Sequence, residues 1–349
     1  MFFNATKVIG LDIGTSTCKL MELDLKKRSA ILRSVAIIPT PIGTVSGGEI
    51  LNSLELSEAL SMIVPELNTK RKNAAVGMWG TSVVVKKITM PKVEGNLLGE
   101  AIKLEAEQYI PFEINEVSLD YQTLDGTGNS EMMDVVLVAA KSDTVYRYAE
   151  AVENAGLECN VVDVNGFSLA NCFEFNYGKT KDVVGILNIG AACTNFVVLH
   201  KSNPIFVRDI PFGGVNFTSD IQNGLGVSLD EAEDLKISAG TGKDVPEEVL
   251  QVIGSSMEAY LEEVQRSLDF YMASSNDLNI DRYFVTGGSV SLPYLIDGLK
   301  QNVSPNIEIL NPFVKVEVDT KKFNPEYISQ ITNLLPTVMG LAARKGGKL

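Results

Sequence analysis

Two stretches of this chain follow one plan, and few folds can hold both. VIGLDIGTSTCKL (8–20) climbs as an apolar run to Asp12, breaks at Gly14, turns through Thr15, Ser16 and Thr17, and leaves as a second run through Lys19. VGILNIGAACTNFVVL (184–199) repeats it, with Asn188 under Asp12 and Gly190 under Gly14. The offset is 176 residues in a chain of 349, very close to half. Apolar runs on either side of a Gly-centred turn predict β-hairpins. Repetition at half the chain length predicts two similar lobes.

The chemistry such a hairpin suits is phosphate binding. Gly and small hydroxyl residues let backbone N–H groups converge on an anion, and the hydroxyls add donors. Lys19, seven residues after Asp12 on the returning strand, can reach the same anion. Asp12 suits Mg²⁺ held through water, because Mg²⁺ keeps several waters and few protein ligands. Gly190, Ala191 and Thr194 are the corresponding residues of the second copy. A single Asp-x-Gly-Thr would equally describe a buried hairpin whose Asp caps the turn. Two copies, one from each half, can clamp a polyphosphate between them.

Composition narrows the partners. A net charge of −14 argues against nonspecific nucleic-acid binding and against docking on an anionic leaflet. Cys18, Cys159, Cys172 and Cys193 are scattered without metal or redox spacing, which predicts reduced, buried thiols in a reducing compartment. The only histidine, His200, lies on an apolar strand, so a His-based triad or zinc site has little material. The N-terminus carries no signal-peptide pattern and no stretch has the apolar length of a membrane span. A soluble, cytoplasmic protein is expected.

Between the hairpins, 31–38 predicts a third strand, 56–64 a helix and 74–90 one or two strands. Pro91 opens a different texture: a helix over 97–110, strands at 117–125 and 134–142 joined by GTGNSE, a helix over 144–154 and a strand at 157–164. This block, 91–162, reads as an inserted interaction subdomain of the first lobe, 1–90. A helix lined by small residues follows at 165–175, within a connecting segment 163–183. PTVMGLAARK (336–345) has the same character, so the two helices are expected to meet where the lobes meet, closing the chain as a segment 336–349.

The second lobe, 184–335, adds three features. PIFVRDIPFGG (204–214) ends in Gly213-Gly214 at a helix start, which permits close backbone approach to a ligand. Ser228 and Glu231 make a capping box for a helix over 228–240, and Glu233 and Lys236 lie three apart on it. They are either a surface salt bridge or a nucleoside contact, the carboxylate for ribose hydroxyls and the Lys stem beneath a base. A long amphipathic helix, 246–274, precedes YFVTGGSVSLPYLIDGL (283–299). Its turn Gly287-Gly288-Ser289 lets a base or α-phosphate rest on backbone, without the spacing of a dinucleotide fingerprint or a P-loop.

The order hairpin, small-residue helix, hairpin, Gly-Gly turn, small-residue helix resembles the actin, heat-shock chaperone and sugar-kinase superfamily. That resemblance implies an α/β, two-lobed actin-like (ribonuclease H-like) ATPase fold. The insertion is similar to the extra subdomain of FtsA. LEAEQYIPFEI (104–114) and EEVQRSLDFY (262–271) resemble more closely the PilM family of type IV pilus assembly. The resemblance implies ATP with Mg²⁺ as cofactors. It also implies capture of the N-terminal tail of a PilN-type bitopic membrane protein in a groove beside the insertion. Recruitment to the inner face of the cytoplasmic membrane through that partner, contacts with other pilus platform proteins and self-association belong to the same picture. AARKGGKL (342–349) cannot make the membrane helix that ends FtsA, so no direct membrane insertion is expected.

One departure stands out. The superfamily starts its second hairpin with Asp, whose carboxylate helps hold Mg²⁺ and the attacking water; here it is Asn188. Where hydrolytic members place an acid or Gln on the first connecting helix, Asn165 is one candidate. Neither amide takes up a proton near neutral pH, so slow turnover at most is expected. Two other readings compete with a scaffold. A small-molecule kinase would need a base, for which Asp163 is the candidate, and an FtsA-like cytoskeletal protein would form filaments with ATP.

Overall fold

The computed structural model describes residues 6–93, 95–124, 131–274 and 278–346. The expected GTGNSE turn and the last three residues lie outside the described residues, the turn's Glu131 excepted.

Two sheets carry the duplication. In the first, Ile9–Ile13 pairs antiparallel with Thr17–Leu25, which pairs antiparallel with Ala30–Pro39. On its other side Ile9–Ile13 runs parallel to Asn73–Met78, which runs parallel to Glu158–Val164. The second sheet repeats the order and directions. Val183–Ile189 pairs antiparallel with Thr194–His200, and that with Asn203–Ile210; Arg282–Thr286 and then Ile307–Ile309 run parallel on the far side. Ile9–Ile13 is buried at every residue, so its near-continuous apolar run is that of a central strand covered on both faces.

Each lobe buries its own core. Leu56, Leu60 and Ile63 of the helix Ser53–Ile63 pack with Tyr148, Ala151 and Val152 of Ser142–Asn154 against the first sheet. In the second lobe Val249, Ile253, Met257, Tyr260 and Val264 line one face of Glu247–Ser274, the 3.6-residue stripe of an amphipathic helix. Fully burying one such side chain stabilises by about 1.5–3 kcal/mol.

The insertion divides differently from the expected 91–162. Val83–Pro91, Met132–Lys141 and Val117–Leu124 form a separate three-stranded sheet, with Met132–Lys141 in the middle. Pro91 ends a strand of that sheet rather than opening the block. The helix Ser142–Asn154 and strand Glu158–Val164 pack instead with the first lobe. The expected helix over 97–110 is regular over Leu98–Ala106 and continues as turns to Ile110, whose N–H donates to Ala106 O at 3.1 Å. The return from the second lobe also comes earlier than 336. Val316–Glu317 already pairs with Ala30 and Ile31, and Ile328 and Ile331 pack with Met21, Leu23 and Leu32.

The helices Asn165–Tyr177 and Pro336–Ala342 meet between the lobes. A Cβ at Gly340 would lie 1.7 Å from Ser168 O, and one at Gly10 would lie 2.4 Å from Val338 O. Small residues are required there because backbone touches backbone.

Candidate functional site

The first hairpin ends in a turn closed by Gly14 N–H donating to Thr17 O at 3.1 Å. The next strand braces it: Thr40 Oγ1 donates to Gly14 O at 2.7 Å, and Thr40 N–H to Ser16 O at 2.9 Å. Asp12 and Lys19 are cross-strand partners at its base. Lys19 Nζ donates to Asp12 Oδ2 at 3.0 Å and to Thr17 O at 3.3 Å, with the two side chains 10% and 9% exposed. Thr15 Oγ1 is buried and finds no partner among the described residues. A buried polar atom left unpaired costs about 1–3 kcal/mol. An orphan hydroxyl in a Gly-hydroxyl turn beside an ammonium fits a bound anion.

The second hairpin copies the turn with Gly190 N–H donating to Cys193 O at 2.9 Å. Asn188 and Asn195 occupy the places of Asp12 and Lys19. Asn188 Nδ2 donates to Asn195 Oδ1 at 2.9 Å and reaches Thr337 Oγ1 at 3.5 Å. The helix Gly214–Leu225 docks its first turn on this hairpin: Gly214 N–H donates to Gly190 O and Val215 N–H to Ala191 O, both at 2.9 Å. A Cβ at Gly213 would meet Ala191 O at 2.5 Å, and one at Gly287 would meet Ile189 O at 2.3 Å. Gly287 also has φ +102°, a conformation that favours glycine. Ser289 Oγ donates to Gly190 O at 3.3 Å. Gly190, Ala191, Gly213, Gly214, Gly287 and Ser289 thus form one cradle, continued by Gly288.

Glu233 and Lys236 join the cradle through Lys236 Nζ. It donates to Glu233 Oε2 at 2.6 Å, to Thr218 Oγ1 at 2.9 Å and to Gly214 O at 3.2 Å. The ammonium is committed to protein, while the Glu233 side chain remains 41% exposed. Thr194 differs from expectation. It is wholly buried and its hydroxyl donates to Phe212 O at 2.9 Å, so it braces the strand end rather than facing a ligand.

The second turn lies against the first lobe. Ala192 and Cys193 of the second pack against the core of the first lobe. Asn188 reaches Thr337 on the helix that lies directly over Gly10. Asn165 Oδ1, at the start of the first connecting helix, is buried without a partner among the described residues, 2.2 Å from where a Cβ at Gly77 would stand. No cluster of three or more His, Cys, Asp or Glu suited to a metal occurs among the described residues. A divalent ion at Asp12 would therefore take most of its ligands from phosphate oxygens and water.

Asp209 carries no sequence signal and proves central. Its Oδ2 accepts from Gly80 N–H of the first lobe at 2.6 Å, and its Oδ1 from Asn195 Nδ2 at 2.7 Å. Burial pushes its carboxyl above the usual range, and the two hydrogen bonds hold it down in part. Asp163 is also pushed up by burial and lies 3.1 Å from Arg344 Nε, which opposes that shift.

Beside Asp209 lies a cavity of about 790 Å³. Strand Val83–Pro91 of the inserted sheet forms one wall and strand Asn203–Ile210 of the second lobe another, and Trp79, Gly80 and Cys193 also line it. Among the described residues each of those strands has a ladder partner on one side, which leaves a strand edge on each wall. Lys86 and Arg208 both lie over the Phe270 ring, at 5.7 and 4.8 Å from its centroid.

Two lobes of one strand order, crossed by paired small-residue helices, with a hairpin turn from each at the cleft, define a protein of the actin-like ATPase superfamily. MreB5 of Spiroplasma citri, solved bound to ADP, shares that fold at a TM-score of 0.50 and 13% identity, over 88% of this chain and 93% of that one. FtsA of Bacillus subtilis (strain 168) is 22% identical over 352 residues, 87% of this chain and 78% of FtsA. The sequence profile of the type IV pilus assembly protein PilM matches residues 10–346, and the chain belongs to that family. A solved chain of a PilM-PilN type IV pilus biogenesis complex superposes with a TM-score of 0.87 at 29% identity, covering 98% of this chain and 99% of that one. No helix among the described residues is long and apolar enough to cross a membrane.

Proposed function

We propose that this pilus-assembly protein is an ATP-gripping scaffold that receives the N-terminal tail of a PilN-type bitopic membrane protein. The observation that carries the reading is the cavity walled by the free edges of Val83–Pro91 and Asn203–Ile210. Free edges hold backbone N–H and C=O groups without ladder partners, and an extended peptide supplies those partners while its side chains fill apolar pockets. Val83, Val85, Ile205 and Val207 provide the apolar surface. The tail of the membrane partner would bring the protein to the inner face of the membrane.

ATP would lie between the two hairpin turns. Asp12 would hold Mg²⁺ through water. Thr15, Ser16, Thr17 and Lys19 would take the terminal phosphates with the turn at Gly190 and Ala191. Gly213, Gly214, Gly287, Gly288 and Ser289 would receive the nucleoside, with Glu233 on the ribose and the Lys236 stem beneath the base. Bound Mg²⁺ would neutralise phosphate charge. Asn188 and Asn165 can orient a water but not deprotonate it, so the site favours holding ATP over turning it over. A kinase reading is weaker, because its candidate base, Asp163, is 4% exposed and set against Arg344.

Calorimetric titration with a synthetic peptide of the PilN-type tail, with and without ATP, tests the proposal. Binding of the peptide, weakened by Val85→Asp in the groove wall, is expected. Absence of peptide binding in both nucleotide states overturns it.

A further inference from the structure

The walls of the cavity and the supports of the two turns are the same residues. Asp209 lines the cavity and bonds both Gly80, another lining residue, and Asn195. Asn195 accepts in turn from Asn188 of the second hairpin. Trp79, also on the cavity wall, donates from Nε1 to Ile13 O at 3.3 Å, the carbonyl immediately before Gly14 of the first turn. Cys193 belongs to the second turn and to the cavity at once. Behind them, a Cβ at Gly166 of the connecting helix would meet the Val207 side chain of the cavity strand at 2.5 Å, so that strand packs directly on the interlobe helix.

We infer that nucleotide and tail peptide bind with positive coupling, transmitted by the chain Asn188–Asn195–Asp209–Gly80 and by Trp79. The inference rests on the function proposed above. Both ligands sit between the same two lobes, and Asp209 is the polar bridge from one to the other beside both. Whichever ligand arrives first fixes the interlobe geometry, so the second orders less of the protein on binding. The sign is therefore positive, and linkage makes the effect equal in both directions. Asp209 suits this role because a carboxylate accepts at both oxygens simultaneously, here from a donor in each lobe.

The test is a pair of reciprocal titrations on the full chain. The tail peptide is titrated with and without saturating ATP and Mg²⁺, and ATP is titrated with and without saturating peptide. Each dissociation constant is expected to fall about tenfold when the other ligand is present, within the usual range of such couplings. In Asn195→Ala, which cuts the relay at a residue outside the cavity lining, both ligands are expected to bind while the factor shrinks. Asp209→Asn, which can no longer accept at both ends, is the second variant and is expected to shrink the factor too. Wild-type constants that bind but do not move overturn the coupling and leave the proposed function standing. A factor fully retained in both variants, with melting curves showing them folded, overturns the route. Failure of either ligand to bind the wild type removes the proposed function and the coupling together.

Discussion

Asp12 and Lys19 face each other across the first hairpin with Nζ 3.0 Å from Oδ2, and the same two places in the second hairpin hold Asn188 and Asn195, with Asn188 Nδ2 donating to Asn195 Oδ1 at 2.9 Å. One half of the duplication keeps a buried ion pair and the other a neutral pair of similar span. The second pair releases Asn195 Nδ2 to bond Asp209, which reaches the other lobe.

Lys19→Ala is expected to weaken ATP binding by roughly 10–100-fold, the loss of a charge-assisted hydrogen bond. It also leaves Asp12 buried and uncompensated, so the free protein should unfold more easily, since breaking a buried pair is strongly destabilising. Calorimetry reads the first effect and urea unfolding the second. Unchanged ATP affinity would take Lys19 off the site.

Asn188→Asp places a carboxylate oxygen against Asn195 Oδ1, whose amide nitrogen is already engaged by Asp209. The single variant should lose about 1–3 kcal/mol in urea unfolding. Adding Asn195→Lys rebuilds the pair of the first hairpin and should restore most of that loss. ATP hydrolysis by the double variant is expected to exceed wild type. If neither variant raises turnover, Asn188 is not the missing acid.

Gly340→Ala drives a methyl against Ser168 O, a backbone atom that cannot swing aside. A destabilisation of about 3 kcal/mol, at the upper end for overpacking, is expected in chemical denaturation. A change under half that size would mean the two interlobe helices separate readily.

Asp209 has a raised folded-state pKa, caused first by burial. Its protonated form is favoured by folding, so its contribution to stability is fully present below the unfolded value of about 3.9. That contribution is lost as pH rises through the raised value. Asp209→Asn should flatten this part of the stability profile from pH 4 upwards. A profile identical to wild type would mean that Asp209 titrates as an ordinary exposed carboxyl.

Local signals identified much of this molecule. Ser228 accepts from Glu231 N–H at 3.2 Å at the start of Leu229–Gly240, as the capping pattern implies, and Gly156 has φ +83° just beyond Ser142–Asn154. The block boundaries were not legible. Val83–Pro91 looks like any β-branched strand, and only its ladder with Met132–Lys141 assigns it to the inserted sheet. Asp209 sits in the strand that leads into Gly213-Gly214, and nothing in that stretch singles it out. Its importance lies in Gly80, 129 residues away in sequence.

The sequence by itself determined two hairpins, their Gly turns, the small-residue helices and the long amphipathic helix. Each of these follows from contacts a few residues apart: turn chemistry, side-chain period and capping. The tertiary structure alone decided which strand joins which sheet, that Thr194 braces the strand end, and that Asp209 spans the lobes beside a cavity with two open strand edges. Those choices depend on packing and pairing between distant segments, which no local pattern encodes.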